Sequence, residues 1–274
     1  MSNYVYDANH VRYELVATHE GRPYNWLFLP GGPGGDSRYL LSLVNLLELP
    51  GNVWLIDFPG NGDNLEGIPA EYDFDSWFDI FLPTIKKFAN PIVVGHSFGG
   101  MFPLCFPELE EQLKGFVILN SAPSLWFESQ SAHSAHLPDV SKEEREFAQN
   151  PSDLTYKALL DVCLPYYFAT EKLDIGKVIF SVPCHFRPAI WWQRKALEIN
   201  FSAKWVPQQV PTLIIGGTED CICPFSLFQQ DARFTRSNIE MINVEAGWHL
   251  PWVENPEAVK SAFKKFCSQL DNSE

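Results

Sequence analysis

The most constraining stretch of the chain is Asn90-Pro91-Ile92-Val93-Val94-Gly95-His96-Ser97-Phe98-Gly99-Gly100. A short apolar run, Ile92 to Val94, ends at Gly95, and Ser97 follows between glycines. G-x-S-x-G describes a sharp strand-to-helix turn in which neither flanking glycine has room for a Cβ. Such a turn holds the serine in a strained backbone conformation with Oγ exposed. The helix behind it presents its unpaired N–H groups and positive end to any charge developing at the serine. At about 7 % usage of Gly and of Ser, the pattern also arises by accident in roughly one chain in ten of this length. Taken alone it is equally a Gly-Ser turn without chemistry, so the rest of the chain has to decide.

A length of 274 residues allows one large core, and 46 % hydrophobic with 20 % charged residues fits a globular domain of enzyme size. The load of 21 Phe, 9 Trp and 9 Tyr implies large, rigid core and pocket surfaces. A net charge of −14 without a Lys/Arg cluster excludes nucleic acid as a partner and favours solubility. Met1 to Asp7 has neither the basic nor the apolar region of a signal peptide, and no apolar run approaches the ~18 residues of a membrane span. A cytoplasmic location with reduced thiols is therefore expected for Cys105, Cys163, Cys184, Cys221, Cys223 and Cys267. Cys221-x-Cys223 lacks the spacing and the second pair of a zinc site, so no metal is expected there.

Apolar runs alternate with helical patterns. Val11 to Ala17 reads as an edge strand, and Trp26–Leu29, Val53–Ile56, Ile92–Val94 and Phe116–Leu119 as buried ones, joined downstream by 212–215 and 239–244. Leu40, Leu43, Val44 and Leu47 share a helical face capped by Asp36 or Ser37, and Phe78, Phe81, Leu82 and Ile85 share another that Pro83 kinks. Pro103 and Pro107 predict a short or kinked helix after Ser97. The chain closes on a helix capped by Asn255, with Pro256 first and Val259, Ala262, Phe263, Phe266 and Leu270 buried. This is an α/β pattern: a mostly parallel sheet with helices on both faces.

Residues 121–206 break the rhythm. They open with polar turn residues, Ser121 to Ser134, followed by a helix with a capping box at Ser141-Lys142-Glu143-Glu144. A second helix carries Leu159, Val162, Cys163 and Tyr166 until Pro165, and a third runs from about Pro188 to Asn200. The segment reads as a helical lid inserted into a core made of 1–120 and 207–274.

Four features line up in order: Gly31-Gly32 after a strand, Ser97 on its elbow, Asp220 after 214–219, and His249 after the last strand. With Pro30-Gly31-Gly32-Pro33-Gly34-Gly35, Asp57-x-Pro59-Gly60-x-Gly62 and Gly247-Trp248-His249-x-Pro251-x-x-Glu254, the chain resembles the α/β-hydrolase family over nearly its whole length. The position of the lid agrees with that plan. The resemblance implies Ser97 as nucleophile, His249 as its base, Asp220 as the orienting carboxylate, and the N–H groups of Gly32 and Phe98 as an oxyanion hole. It implies neither cofactor nor metal. Glu219 is the rival acid by one residue, and Asp57 reads as a structural partner of nearby loops. The glycine loop is distantly like that of the proline-iminopeptidase branch, but Pro30 stands where those relatives carry His, so the loop is expected to be held by its prolines. His96 before the nucleophile resembles esterases, C–C hydrolases and related enzymes, and Ser rather than Asp at 97 argues against haloalkane dehalogenase or epoxide hydrolase chemistry.

The expected activity is a serine hydrolase acting on a small, apolar ester-like or acyl substrate, with Trp126, Trp191, Trp192 and Trp248 as pocket candidates. Tyr166, Tyr167 and Phe168 add to the aromatic lid. An aminopeptidase using Glu143, Glu144 or Glu198 to bind a free amine is the second enzyme reading. A weakly catalytic ligand sensor on the same scaffold is the third. Substrate identity and oligomeric state are not legible.

Overall fold

Period-two alternation along the strands divides the apolar side chains between two faces of one sheet. Leu27, Leu29, Val93, Phe116, Ile118 and Ile214 point to one face, while Trp26, Phe28, Ile92, Val94, Val117, Leu119, Leu213 and Ile215 point to the other. Both sets are buried, which is why these segments read as continuous apolar runs. The computed structural model describes residues 4–126 and 137–271. The part of the expected polar turn stretch from 127 to 134 lies outside them.

The strands are β1 (Tyr4–Tyr6), β2 (Arg12–His19), β3 (Asn25–Leu29), β4 (Gly51–Asp57), β5 (Pro91–His96), β6 (Gly115–Leu119), β7 (Thr212–Gly217) and β8 (Ile239–Val244). They form one sheet in the order β1-β2-β4-β3-β5-β6-β7-β8. β3 to β8 run parallel, and β1 and β2 are antiparallel at one end. Val11 to Ala17 is thus not the edge, because Tyr4–Tyr6 pairs outside it. The chain leaves β3 towards β4 and later returns to β3's other side with β5. The carboxyl ends of β3 and β5 therefore flank the switch in winding direction, where open α/β sheets form their crevice.

The helix Ser76–Ile85 buries Trp77, Phe81 and Ile85 on one face, and Pro256–Asp271 buries Val259, Ala262, Phe263, Phe266 and Leu270 on the other. Asn255 Oδ1 caps the latter by accepting the Ala258 N–H at 3.2 Å. After Ser97 the α-helix lasts one turn, Phe98–Met101, before Pro103 converts it to a 3₁₀ turn over Phe102–Cys105.

Between β6 and β7 lie helices Ser141–Gln149, Asp153–Val162, Leu164–Tyr167, Leu173–Ile179 and Phe186–Glu198. The Ser141 capping box does not form. Ser141 lies inside its helix and donates to Asp139, so Glu144 has no capping hydroxyl to answer. The capping box is instead at Ser152, whose Oγ accepts the Thr155 N–H while Thr155 Oγ1 accepts the Ser152 N–H. Gly35 and Cys184 form a β-bridge, with Asp36 N–H on Pro183 O at 3.2 Å and His185 N–H on Gly34 O at 2.9 Å. This segment is thereby tied to the loop that follows β3. Among the described residues no helix is long and apolar enough to cross a membrane.

Candidate active site

Ser97 is the first residue after β5 and sits at φ 52°, ψ −119°, a conformation costly for any residue with a Cβ. Its N–H donates to Leu119 O at 2.9 Å, which fastens the elbow to the neighbouring strand. A Cβ at Gly95 would run into the Gly99 carbonyl, and one at Gly99 into that of Leu29, so glycine is required on both sides.

Asp220 and His249 are both buried, on the loops that follow β7 and β8. His249 Nδ1 lies 3.1 Å from Asp220 Oδ1 and 3.0 Å from Oδ2. Ile222 and Cys223 donate their N–H groups to Oδ1 at 2.9 and 3.0 Å, and Asn120 Nδ2 donates to Oδ2 at 2.8 Å. Burial works to raise the Asp220 carboxyl, but His249, the Asn120 amide and the Cys223 N–H outweigh it and hold it below the ordinary Asp range. Glu219 is exposed and turned to the Thr218 hydroxyl at 3.1 Å. Of the two rival acids, the structure brings Asp220 to His249 and leaves Glu219 outside.

Among the described residues the Ser97 hydroxyl makes no hydrogen bond to the His249 ring. Its polar neighbour is the Cys223 thiol, which burial raises well above the usual range and the Ser97 hydroxyl pulls the other way. Cys221 faces away, its Sγ 3.8 Å from Tyr166 O, so the two cysteines of Cys221-x-Cys223 serve different surroundings.

The loop 30–35 leaves β3 beside this cluster. Gly32 is exposed at φ +111°, and neither its N–H nor that of Phe98 meets an acceptor among the described residues. Prolines alone do not hold this loop. Gly31 N–H donates to Tyr39 Oη at 2.7 Å, Gly34 N–H to Asn61 Oδ1 at 2.9 Å, and Gly62 N–H to Gly34 O at 3.0 Å. Asp57 sits beneath it, accepting from Arg12 Nη2 at 2.7 Å and from the Ser37 N–H at 2.8 Å. Burial and the neighbouring Asp36 raise its carboxyl against the pull of Arg12.

The four tryptophans are distributed differently. Trp192 packs edge-on against Phe98 at 4.9 Å between ring centres. Trp191 lies against Trp77 at 5.3 Å and donates its indole N–H to Asp75 at 2.7 Å, while Trp126 packs, half-buried, against the core on that face of the sheet. Trp248 contributes its backbone, accepting from Asn120 at 3.0 Å. Tyr167, by contrast, reaches His249, with ring centres 5.4 Å apart. Of the three acidic side chains considered for an amine site, two are engaged elsewhere: Glu143 with Lys142 at 3.4 Å and Glu198 with Lys195 at 3.0 Å. Asn120 was missed by sequence reasoning. The signal was positional, since Leu119 is registered opposite His96, so Asn120 follows β6 as Ser97 follows β5.

A family model described as alpha/beta hydrolase family matches residues 26–262. The chain belongs to the alpha/beta hydrolase family. A Mycoplasma pneumoniae protein provisionally named esterase/lipase 1 is 24 % identical over 226 residues, covering 79 % of this chain and 81 % of that one. The pimeloyl-acyl-carrier-protein methyl ester esterase of Xylella fastidiosa is 21 % identical over 255 residues, covering 89 % and 95 %. In structure, the proline iminopeptidase-related protein of Thermus thermophilus superposes with a TM-score of 0.67 at 20 % identity over 100 % of both chains. That likeness is one of fold.

Proposed function

We propose that this alpha/beta hydrolase is a cofactor-free serine hydrolase of small ester-like or acyl substrates. The observation that carries the reading is the convergence at one end of the sheet. A strained Ser97 follows β5, the loop 30–35 with its unengaged Gly32 N–H follows β3, and a buried His249 is held by an ionised Asp220. Ser97 Oγ attacks the acyl carbon as His249 Nε2 takes its proton, and Asp220 stabilises the imidazolium. The Gly32 and Phe98 N–H groups receive the negative charge of the tetrahedral oxygen. The leaving alcohol departs with the proton from His249. Water, deprotonated by the same ring, then releases the acid from Ser97.

The helices between β6 and β7 act as the lid of this site, placing Tyr167 beside His249. An ester substrate is favoured over a free-amine one in that two of the three candidate amine-binding acids, Glu143 and Glu198, are paired with lysines. Two curated relatives bearing esterase names support the same side. A fluorophosphonate probe tests the reading without a known substrate. Labelling is expected in the native chain and is lost in Ser97→Ala together with hydrolysis of p-nitrophenyl butyrate. Equal labelling or turnover in the folded variant would remove Ser97 from the mechanism.

A further inference from the structure

Tyr39 and His96 take no part in the reaction outlined above, yet both are buried against it. The path from one to the other can be given a direction. His96 Nε2 lies 2.9 Å from the main-chain oxygen of His249, and a carbonyl only accepts, so Nε2 carries the proton. Nδ1 is then a lone pair, and it receives the Tyr39 hydroxyl proton at 2.5 Å. The Tyr39 oxygen in turn accepts the Gly31 N–H at 2.7 Å. Gly31 N–H, Tyr39 O–H and His96 N–H therefore point one after another towards His249.

Each link ends one residue from, or on, a reacting part. Gly31 precedes Gly32, His96 precedes Ser97, and the last acceptor belongs to His249 itself. The space is also closed: a Cβ at Gly31 would lie 2.9 Å from Ser97 Cβ, 3.2 Å from His96 Nδ1 and 3.2 Å from Tyr39 Oη. The His96 ring is further fixed edge-on to Trp252 at 5.2 Å. Burial and the neighbouring His249 hold the His96 imidazole down to about 3, so Nδ1 remains an acceptor. Because Tyr39 occupies the Gly31 N–H, the Gly32 N–H is the next along the loop left to face a substrate.

We propose that Tyr39 and His96 form a positioning relay that holds the Gly32 N–H and the His249 ring in one register about Ser97. It deepens the serine-hydrolase reading and rests on it for its effect on turnover. Removing one link orphans buried polar groups at the next and frees the loop and the His249 backbone to move apart. A displacement of about 1 Å at such a site costs up to roughly a hundredfold in rate.

The test compares Tyr39→Phe, His96→Leu and the double variant, with His96→Gln as the conservative partner that keeps a donor. Each single change is expected to lower kcat on p-nitrophenyl butyrate about 10–100-fold with KM within about twofold. Affinity for an aryl trifluoromethyl ketone, whose adduct carries an oxyanion, is expected to fall by the same factor. The double variant is expected to be no worse than the poorer single, and His96→Gln to recover part of the loss. Losses that multiply in the double variant, or a rise in KM with unchanged ketone affinity, would overturn the relay. A second measurement needs no activity: Tyr39→Phe should shift the backbone amide resonances of Gly32 and His249 together. A shift confined to Gly31 would overturn the proposal. Absence of phosphonate labelling in the native chain counts against the serine-hydrolase reading alone, and the amide resonances then still decide the relay.

Discussion

Replacing Asp220 by Asn tests the orienting carboxylate most sharply, because every group around it is a donor. Oδ1 receives two backbone N–H groups, from Ile222 at 2.9 Å and Cys223 at 3.0 Å, and Oδ2 receives Asn120 Nδ2 at 2.8 Å. An amide offers one oxygen and one NH₂. The backbone donors cannot turn, so the new oxygen stays with them and the NH₂ takes the place of Oδ2. There it confronts Asn120 Nδ2, which the Trp248 carbonyl holds at 3.0 Å, and His249 Nδ1. Relief comes when His249 accepts at Nδ1 and keeps its proton on Nε2. In that tautomer the ring cannot take a proton from Ser97. The same exchange in the Ser-His-Asp template of serine proteases costs about 10⁴ in kcat, equivalent to about 5.4 kcal/mol of barrier. Folding suffers less, by about 1–3 kcal/mol for the exchanged hydrogen bonds. The assay is p-nitrophenyl butyrate hydrolysis beside a thermal melt. Glu219→Gln serves as the control and is expected to cost less than about threefold, as for a solvated surface group. A folded Asp220→Asn chain retaining a tenth of native kcat, or a crippled Glu219→Gln, would refute the reasoning.

Acyl chain length probes the proposed lid: at about 0.8 kcal/mol per buried CH₂, kcat/KM is expected to rise roughly 15-fold from acetyl to butyryl p-nitrophenyl esters. Prolyl and alanyl anilides should be poor substrates, and efficient release of aniline from them, lost when the amine is blocked, would favour an aminopeptidase. Arg12 Nη2 bridges the buried Asp36 and Asp57 at 2.8 and 2.7 Å, so Arg12→Met leaves Asp57 without a countercharge and Asp36 with only Arg38 at 3.7 Å, and should cost about 3–5 kcal/mol; an unchanged melting temperature would show the cluster to be dispensable. Glu254 accepts from Ala169 and Trp248, and burial lifts its carboxyl to about 7 against the pull of those N–H groups. The folded chain therefore keeps a proton that the unfolded chain loses, and this group's contribution to stability falls as pH rises from about 4.5 to 7. Glu254→Gln should flatten the melting temperature across that window, and parallel native and variant profiles would contradict it.

Much of the framework was legible because its causes are local. The elbow needs Gly95 for a local reason, since its Cβ would collide with the Gly99 carbonyl four residues on, whereas Gly99 is required by the Leu29 carbonyl on the neighbouring strand. Strands buried on both faces must be apolar throughout, which set off Trp26–Leu29 and Phe116–Leu119 from the amphipathic stripe of the last helix. Local patterns misled where two were alike. Ser141 and Ser152 both precede plausible partners, and only Ser152 stands outside its helix with an extended backbone. β1 has three residues, too few to register as a strand, and exists by pairing with β2.

The tertiary structure decided the environment of each proposed reacting group. Nothing adjacent in sequence marks Asn120 as a partner of Asp220, one hundred residues away, or Tyr39 as a partner of His96, fifty-seven away. The difference is one of range. Backbone sterics and hydrophobic periodicity act over a few residues and are written in order along the chain. Hydrogen bonds among Tyr39, His96, Asn120 and Asp220 come into being only when the sheet sets the ends of β3, β5, β6 and β7 side by side.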